Sequence, residues 1–285
     1  MLACGMETVM KKIIILPNRD KKIPTEKIEA LCCKLRDWGC DAVVEEIPSP
    51  GEDSSRLSYA DLLVVLGGDG TIIDVARVSA GMNIPITGVN FGHVGYMAEI
   101  ESDCTDRLRA VIDGKCNIQK RMMLDIAVVR GDKAILTAHP ALNDAVLSNG
   151  PIPKLLGFDI FCDGLFAQHM RSDGIIISTP TGSSAYSMSA GGPVIDPEVQ
   201  CICATPICPH LLNARPVIFS PDCIMEIRNA ECRGNNIYLS VDGKEVIELA
   251  GGDVIRIKRS KCTIPLVRVG KESFIETLNS KLSGD

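Results

Sequence analysis

Aromatic side chains are scarce in this 285-residue chain: Phe, Trp and Tyr together make up 4%, and Trp38 is the single tryptophan. That poverty argues against a base-stacking platform for single-stranded nucleic acid. A basic excess is missing too. Lys and Arg number 30 against 36 Asp and Glu, a formal net charge of -6, so a non-specific wrapper of duplex DNA is excluded. No run approaches the roughly 20 apolar residues that span a bilayer. The opening MLACGMETVMKK also lacks a basic stretch followed by an apolar one, so no secretory leader is expected and the expected location is cytoplasmic.

What is present is ordinary globular composition, 46% hydrophobic and 23% charged, enough for one large or two modest domains. The 13 cysteines are odd in number and follow no framework spacing. They read as reduced, mostly packed thiols acting as small hydrophobes. Cys201, Cys203, Cys208 and His210 match no usual paired zinc-ligand spacing, and the intervening apolar residues suggest strand packing instead.

The first third alternates strand-like and helix-like segments. Lys11 to Asn18, Asp41 to Ile47, Asp61 to Leu66 and Pro85 to Asn90 read as strands. Helical patterns run from Pro24 to Gly39, with Ile28, Leu31, Cys32 and Leu35 on one face, from Thr71 to Ala80, and from Asp103 to Ile112. Such alternation predicts a doubly wound, parallel α/β domain over residues 1–120. After Lys120 helical periodicity nearly vanishes. Short β-rich runs broken by turn dipeptides predict an antiparallel, sandwich-like domain over 121–265, with hairpins at Asp163-Gly164 and Asp242-Gly243. Glu272 to Leu282 returns to a helical pattern, with Phe274, Ile275, Leu278 and Leu282 on one stripe.

Three stretches carry the candidate chemistry. Gly67-Gly68-Asp69-Gly70-Thr71 lies between a buried strand and a helix start, at the carboxyl end of a parallel strand, where open α/β sheets bind ligands. Glycines let backbone N–H groups approach an anion closely, and the helix offers its positive end. Asp69 there can take a proton from an attacking hydroxyl or help hold Mg²⁺. The competing reading is a plain strand–helix turn capped by Asp69. The second stretch, Ser178 to Ser187, packs hydroxyls around Pro180 and Gly182. It is either a ligand-lining loop, with Tyr186 stacking on a base, or a solvated connection. The third, Asn143-Asp144, sits in the strand-like ALNDAVL. Polar residues there are costly to bury unless paired, so they meet a ligand or mark a hairpin turn or sheet edge.

These motifs, with Gly-His-Val-Gly-Tyr at 92–96 and Asp173-Gly174, follow one another in an order that resembles the ATP-dependent NAD kinases, from about Lys11 to Val269. Gly-Gly-Asp-Gly-Thr alone is shared with lipid kinases and related phosphofructokinases. A lipid kinase and a non-catalytic nucleotide sensor are the alternatives weighed. The first leaves the 178–187 loop unexplained; the second conflicts with the presence of Asp69 and Asp144.

The resemblance implies transfer of the γ-phosphoryl group of ATP to the 2′-hydroxyl of the adenosine ribose of NAD. ATP and NAD would be the substrates, a divalent cation such as Mg²⁺ would take part, and the chain would form a homodimer or homotetramer, with no nucleic-acid or membrane partner. It also implies that residues 266–285 pack back on the first domain and that the site lies between domains. By position, Asp69 resembles the general base, and Gly67, Gly68, Gly70 and Thr71 the phosphate-facing loop. Asn143 and Asp144 resemble the pair contacting the adenosine part of NAD, and Asp173, Ser184, Ala185 and Tyr186 positions around the adenine. Arg171 and His210 are candidate phosphate contacts. The family often has Glu at the place of Asp144, Thr at that of Ser184, and Gln after Asp-Gly where Lys244 stands.

Overall fold

Five consecutive strands or strand ends in the first part of the chain run parallel, and their sequence explains why. The strand β1 (Lys12–Pro17) carries Ile13, Ile14, Ile15 and Leu16, all at most 1% exposed. A strand buried on both faces reads as a continuous apolar run, the mark of a parallel sheet covered on both sides. In this computed structural model, residues 10–49, 51–91, 95–150, 155–210, 214–229, 237–270 and 273–282 are described. The chain divides into two compact units, one formed by 1–120 with 263–285 and the other by 121–262.

The first unit holds β1, α1 (Thr25–Asp37), β2 (Asp41–Val44), β3 (Leu62–Gly67), α2 (Asp69–Val78), β4 (Ile86–Asn90), the short β5 (Ile100–Glu101) and α3 (Leu108–Ile112). The sheet order is β2-β1-β3-β4, with β5 beside β4, all parallel. The chain moves outward from β1 to β2, then returns to the other side of β1 with β3. The carboxyl ends of β1 and β3 therefore flank a topological switch point, where such sheets leave a crevice. Helix α1 has Glu26 in its first turn and Lys34 and Arg36 in its last, matching the helix dipole. It buries Leu31, Cys32 and Leu35, and ends before Gly39 at φ +84.

Two helix starts differ from expectation. Helix α2 begins at Asp69, not Thr71, so Gly68 alone separates strand from helix. The stretch before α3 is a single 3-10 turn, Thr105–Arg107, rather than α-helix from Asp103.

Strand β6 (Asn117–Arg130) leads into the second unit. There follow β7 (Lys133–Ala141), β8 (Asp144–Asn149), β9 (Leu156–Cys162), β10 (Leu165–Ser172), β11 (Gly174–Ser178), the single helical turn α4 (Tyr186–Ser189), β12 (Ile202–Ile207), β13 (Val217–Phe219), β14 (Met225–Asn229), β15 (Ile237–Val241), β16 (Glu245–Leu249) and β17 (Asp253–Arg268). One antiparallel sheet is ordered β13-β12-β11-β8-β15-β16. The other joins β10, β9, β14 and the early part of β17, which neighbours β6 and, beyond it, β7. The apolar faces of both sheets meet in one core that includes Leu124, Phe158, Ile160, Met225 and Ile257 from one and Leu147, Ile175, Ile177, Ile202 and Leu239 from the other. The fold is thus an α/β unit followed by an antiparallel sandwich.

The late part of β17 belongs to the first unit, where Leu266 lies parallel to Ile86. Helix α5 (Phe274–Leu282) closes the described chain. It opens on a capping box: Ser273 N–H donates to Glu276 Oε2 at 2.7 Å, and Glu276 N–H to Ser273 Oγ at 3.2 Å. Leu278 is buried on it, but Ile275, expected on the same stripe, is exposed. Lys271 and Glu272 lie outside the described residues.

The hairpin at Asp163-Gly164 is a two-residue loop with both φ values positive, as Asp-Gly favours. At Asp242-Gly243 the loop also includes Lys244, since Val241 pairs with Glu245.

The cysteines need one correction. Cys162 and Cys223 are joined by a disulfide, so the thiols are not uniformly reduced. Of the remaining described cysteines, Cys32, Cys40, Cys201 and Cys203 are buried, while Cys33, Cys104 and Cys208 are exposed. Burial pushes the Cys32, Cys40, Cys201 and Cys203 thiols up from their ordinary value, which keeps them neutral and unreactive.

Phe158, fully buried in the sandwich core, gives a direct test of that packing. Phe158→Ala is expected to lower stability by about 3–5 kcal/mol, read from the denaturant midpoint at constant slope.

Candidate functional site

At the switch point, Gly67 ends β3 and Asp69 opens α2. None of Gly67, Gly68 or Gly70 has the positive φ that only glycine adopts readily. The requirement at Gly67 is space, because a Cβ would overlap the Thr71 side chain. Thr71 itself is buried, and its hydroxyl accepts a hydrogen bond from Asn18 Nδ2 at 2.6 Å. Its side chain is therefore turned inward, and what the turn presents outward is Gly70, which is exposed, and the first turn of α2.

The Asp69 carboxylate is held by three consecutive main-chain donors. Oδ2 accepts the Tyr96 N–H at 2.5 Å, and Oδ1 accepts those of Met97 at 3.0 Å and Ala98 at 3.2 Å. Gly95 permits this approach, since a Cβ there would overlap the carboxylate. Gly92, His93 and Val94 of the same motif lie outside the described residues. Burial and the Asp69 charge push the Tyr96 phenol up from its ordinary value. The 96–99 segment is anchored in turn by Glu99, whose Oε1 pairs with Arg268, both about nine-tenths buried, and whose Oε2 accepts the Val269 N–H at 2.6 Å.

Two residues of this site were missed in the sequence. Asn18, at the end of β1, donates its N–H to Leu66 O and its side chain to Thr71, and its Oδ1 accepts the Lys21 N–H. Lys21 then lies beside Gly68, its Nζ 3.6 Å from where a Cβ would stand. The signal was available as an Asn–x–x–Lys spacing directly after the first buried strand.

In the second unit, Asp144 opens β8, which lies between β11 and β15 in its sheet. It is neither a hairpin turn nor a sheet edge, so both of those readings fail. Asp144 is buried, 5% exposed. Burial, and secondarily repulsion from Asp242, push its carboxyl up to about 7.

The hydroxyl-rich loop turns mostly inward. Thr179 Oγ1 donates to Leu142 O at 2.6 Å and accepts the Gly182 N–H at 3.1 Å. Ser183 Oγ donates to Pro180 O and accepts the Ile195 N–H. Ser187 bonds Thr205 at 2.9 Å. These groups build the loop rather than line it. Gly182 lies against the Asn143 carbonyl so closely that a Cβ would overlap it. Ser184 and Ala185 are half-buried, with Ser184 Oγ donating to Thr181 O, and Tyr186 is 47% exposed.

Arg171, Asp173 and His210 do not join this group. Ser178 faces Asp144 at one end of β11, whereas Asp173 O accepts from Asn149 at the other. At about 3.3 Å per residue the separation along the strand is roughly 16 Å. Arg171 and His210 are adjacent there, with the His210 N–H on Arg171 O at 2.9 Å. Cys201 and Cys203 sit buried with Ile195, while Cys208 and His210 are exposed. Among the described residues, the one set of three metal-capable side chains within reach of a common ion is Cys162, Asp163 and Cys223, of which the two cysteines are bonded to each other. Also among the described residues, no helix is long and apolar enough to cross a membrane.

A glycine-bearing strand end that meets a helix N-terminus at a switch point is where α/β proteins receive phosphate groups. The fold matches that of the yeast NADH kinase complexed with NADH (TM-score 0.85, 26% identity, 97% of this chain and 89% of that one). It also matches an NAD kinase from Archaeoglobus fulgidus in complex with ATP (TM-score 0.74, 23% identity, 96% of this chain and 99% of that one). The family models for the ATP-NAD kinase N-terminal and C-terminal domains match residues 14–116 and 142–269. NAD kinases of Symbiobacterium thermophilum and Acetivibrio thermocellus are 41% and 36% identical to this chain, each over 96% of its length and over 100% and 97% of their own. The chain belongs to the ATP-NAD kinase family.

The buried Asp144 makes stability depend on pH in a defined sense. Unfolded, its carboxyl titrates near 3.8; folded, near 7. Between those values the folded chain retains a proton the unfolded chain has lost. The ionised group therefore costs stability progressively as pH rises from about 4 to about 7, on the order of a few kcal/mol in full. Asp144→Asn is expected to gain on the parent protein between pH 4 and pH 8, measured as the difference in denaturant midpoint; a difference independent of pH would refute the burial account.

Proposed function

We propose that this protein transfers the γ-phosphoryl group of ATP to the 2′-hydroxyl of the adenosine ribose of NAD, giving NADP. The observation that carries this reading is the Asp69 carboxylate held at the N-terminus of α2 in a chain whose family membership extends through both units. Phosphoryl transfer needs in-line positioning and charge neutralisation more than covalent chemistry. Gly67, Gly68, Gly70 and the first turn of α2 receive phosphate oxygens through main-chain N–H groups, with the helix dipole behind them. Thr71 supports the turn from within through Asn18. Lys21 adds a cation beside Gly68.

Asp69 takes the proton of the ribose hydroxyl as that oxygen attacks. Among the described residues its Oδ2 accepts a single main-chain donor, whereas Oδ1 accepts two, so Oδ2 is the oxygen with a lone pair left for the task. Asp69 is the carboxylate that would help hold a divalent cation such as Mg²⁺ bound to the ATP phosphates, and such a cation would neutralise phosphate charge during transfer. Asn143 and Asp144 receive the adenosine part of NAD, and Ser184, Ala185 and Tyr186 surround the adenine.

In this reading the enzyme is cytoplasmic and a homodimer or homotetramer. No nucleic-acid or membrane partner is required.

Incubation with ATP, Mg²⁺ and either NAD or a diglyceride tests the assignment. NADP, read with an NADP-specific dehydrogenase, is the expected product; a phosphorylated lipid in its absence would replace this reading with a lipid kinase. Asp69→Ala is expected to lower kcat at least about 100-fold, with NAD still bound. Near-parental turnover in that variant would remove Asp69 from the chemistry.

A further inference from the structure

The corner at Asn143–Asp144 has all its main-chain groups held by other parts of the second unit. Asp242, in the loop between β15 and β16, accepts three consecutive N–H groups. Its Oδ2 takes that of Leu142 at 2.9 Å, and its Oδ1 takes those of Asn143 at 2.8 Å and Asp144 at 3.0 Å. Asp242 returns its own N–H to Asp144 O at 3.0 Å. From the other side Thr179 closes on the corner, its hydroxyl on Leu142 O and its N–H on Asn143 O at 2.8 Å.

The side chains of the corner are in the opposite condition. Asn143 Oδ1 is buried with no hydrogen-bond partner. Asp144 is 5% exposed as a residue, and its carboxyl has no hydrogen bond or ion pair among the described residues. Buried polar atoms left unpaired are expensive, and they persist in folded proteins where a ligand or ion completes them. A main chain fixed on every side thus presents two polar side chains whose partners the protein does not supply.

We propose that Asp242 is a positioning residue for the dinucleotide: through its three main-chain acceptances it holds Asn143 and Asp144 in the geometry that receives NAD, without touching NAD itself. This rests on the reading that Asn143 and Asp144 contact NAD. The residue type follows from the geometry. Three donors arrive at two oxygens, which a carboxylate accommodates and an amide, with one oxygen and an NH₂ that repels the third donor, does not. Asp is also among the residues that tolerate the left-handed backbone found here, φ +50. The other Asp-Gly hairpin shows that the turn itself does not demand such a hub: Asp163, at φ +52, accepts one described main-chain N–H, that of Ile224.

The test is steady-state kinetics on full-length Asp242→Asn, Asp163→Asn and Asn143→Ala. Asp242→Asn is expected to raise KM for NAD roughly 10-fold or more, with kcat and KM for ATP within about 3-fold of the parent. Asp163→Asn, the same change in the remote hairpin, is expected to leave all three constants in place. Asn143→Ala separates the proposal from the reading beneath it. If KM for NAD rises in Asn143→Ala but not in Asp242→Asn, the positioning role is wrong and the contact stands. If Asn143→Ala binds NAD normally, the contact itself is wrong. Equal losses toward ATP and NAD, or an Asp163→Asn variant that matches Asp242→Asn, would make Asp242 merely structural. Should Asp242→Asn fail to fold, hydrogen exchange on the parent protein decides. Protection of the Leu142, Asn143 and Asp144 amides without NAD supports the proposal; exchange at loop rates until NAD is added overturns it.

Discussion

One interaction recurs in both units: an aspartate carboxylate accepting three consecutive main-chain N–H groups. Asp69 does this with 96–98 and Asp242 with 142–144. Hydrogen bonds to a charged acceptor are shorter and stronger than neutral ones, and three of them converging on one side chain fix a loop's path as firmly as a ladder fixes a strand. In each unit a segment that would otherwise be an irregular connection is tied to a regular element, α2 in one case and the β15–β16 hairpin in the other. The glycines follow from it: Gly95 lies against the Asp69 carboxylate and Gly182 against the Asn143 carbonyl, both at distances that leave no room for a Cβ.

In the first unit this device has a second tier. Glu99 follows directly on the segment that holds Asp69, and its ion pair with Arg268 is almost fully buried. A buried pair is weak evidence for stability, because desolvation offsets much of the attraction; its better-attested effect is to specify one geometry. Here the geometry specified is that of the 96–99 segment, and Val269 N–H on the same carboxylate adds the backbone beyond β17 to it. The chain's last strand therefore bears on the catalytic candidate although nearly 200 residues of sequence separate them.

The fold was largely legible from periodicity. Continuous apolar runs such as Ile13 to Leu16 gave buried parallel strands, and the loss of helical spacing after Lys120 gave the sandwich. Local errors fell where short-range signals compete. Glycines made 67–70 look like a loop, yet Gly67 finishes a strand and Asp69 begins a helix, because the glycines serve close packing rather than left-handed backbone. Asn143-Asp144 resembled a turn because both are turn formers, whereas the carboxylate that holds the main-chain N–H groups of this corner lies about 100 residues away, at Asp242. No local pattern reports such a partner. For the same reason Asp242 itself read only as half of a hairpin.

The hydroxyl-rich loop shows how composition misleads about direction. Its density of Ser and Thr suggested donors facing a ligand, but Thr179, Ser183 and Ser187 are fully buried and bonded to protein. Burying them is tolerable because each finds a partner: Thr179 and Ser183 bond main-chain groups of neighbouring segments, and Ser187 the Thr205 hydroxyl on β12. The hydroxyls thus do for this loop what main-chain pairing does inside a sheet. The division of labour is consistent across the site: the buried polar groups that are satisfied within the protein set the backbone, and the few left unsatisfied, Asn143 Oδ1 and the Asp144 carboxyl foremost, are the ones with reason to meet a substrate.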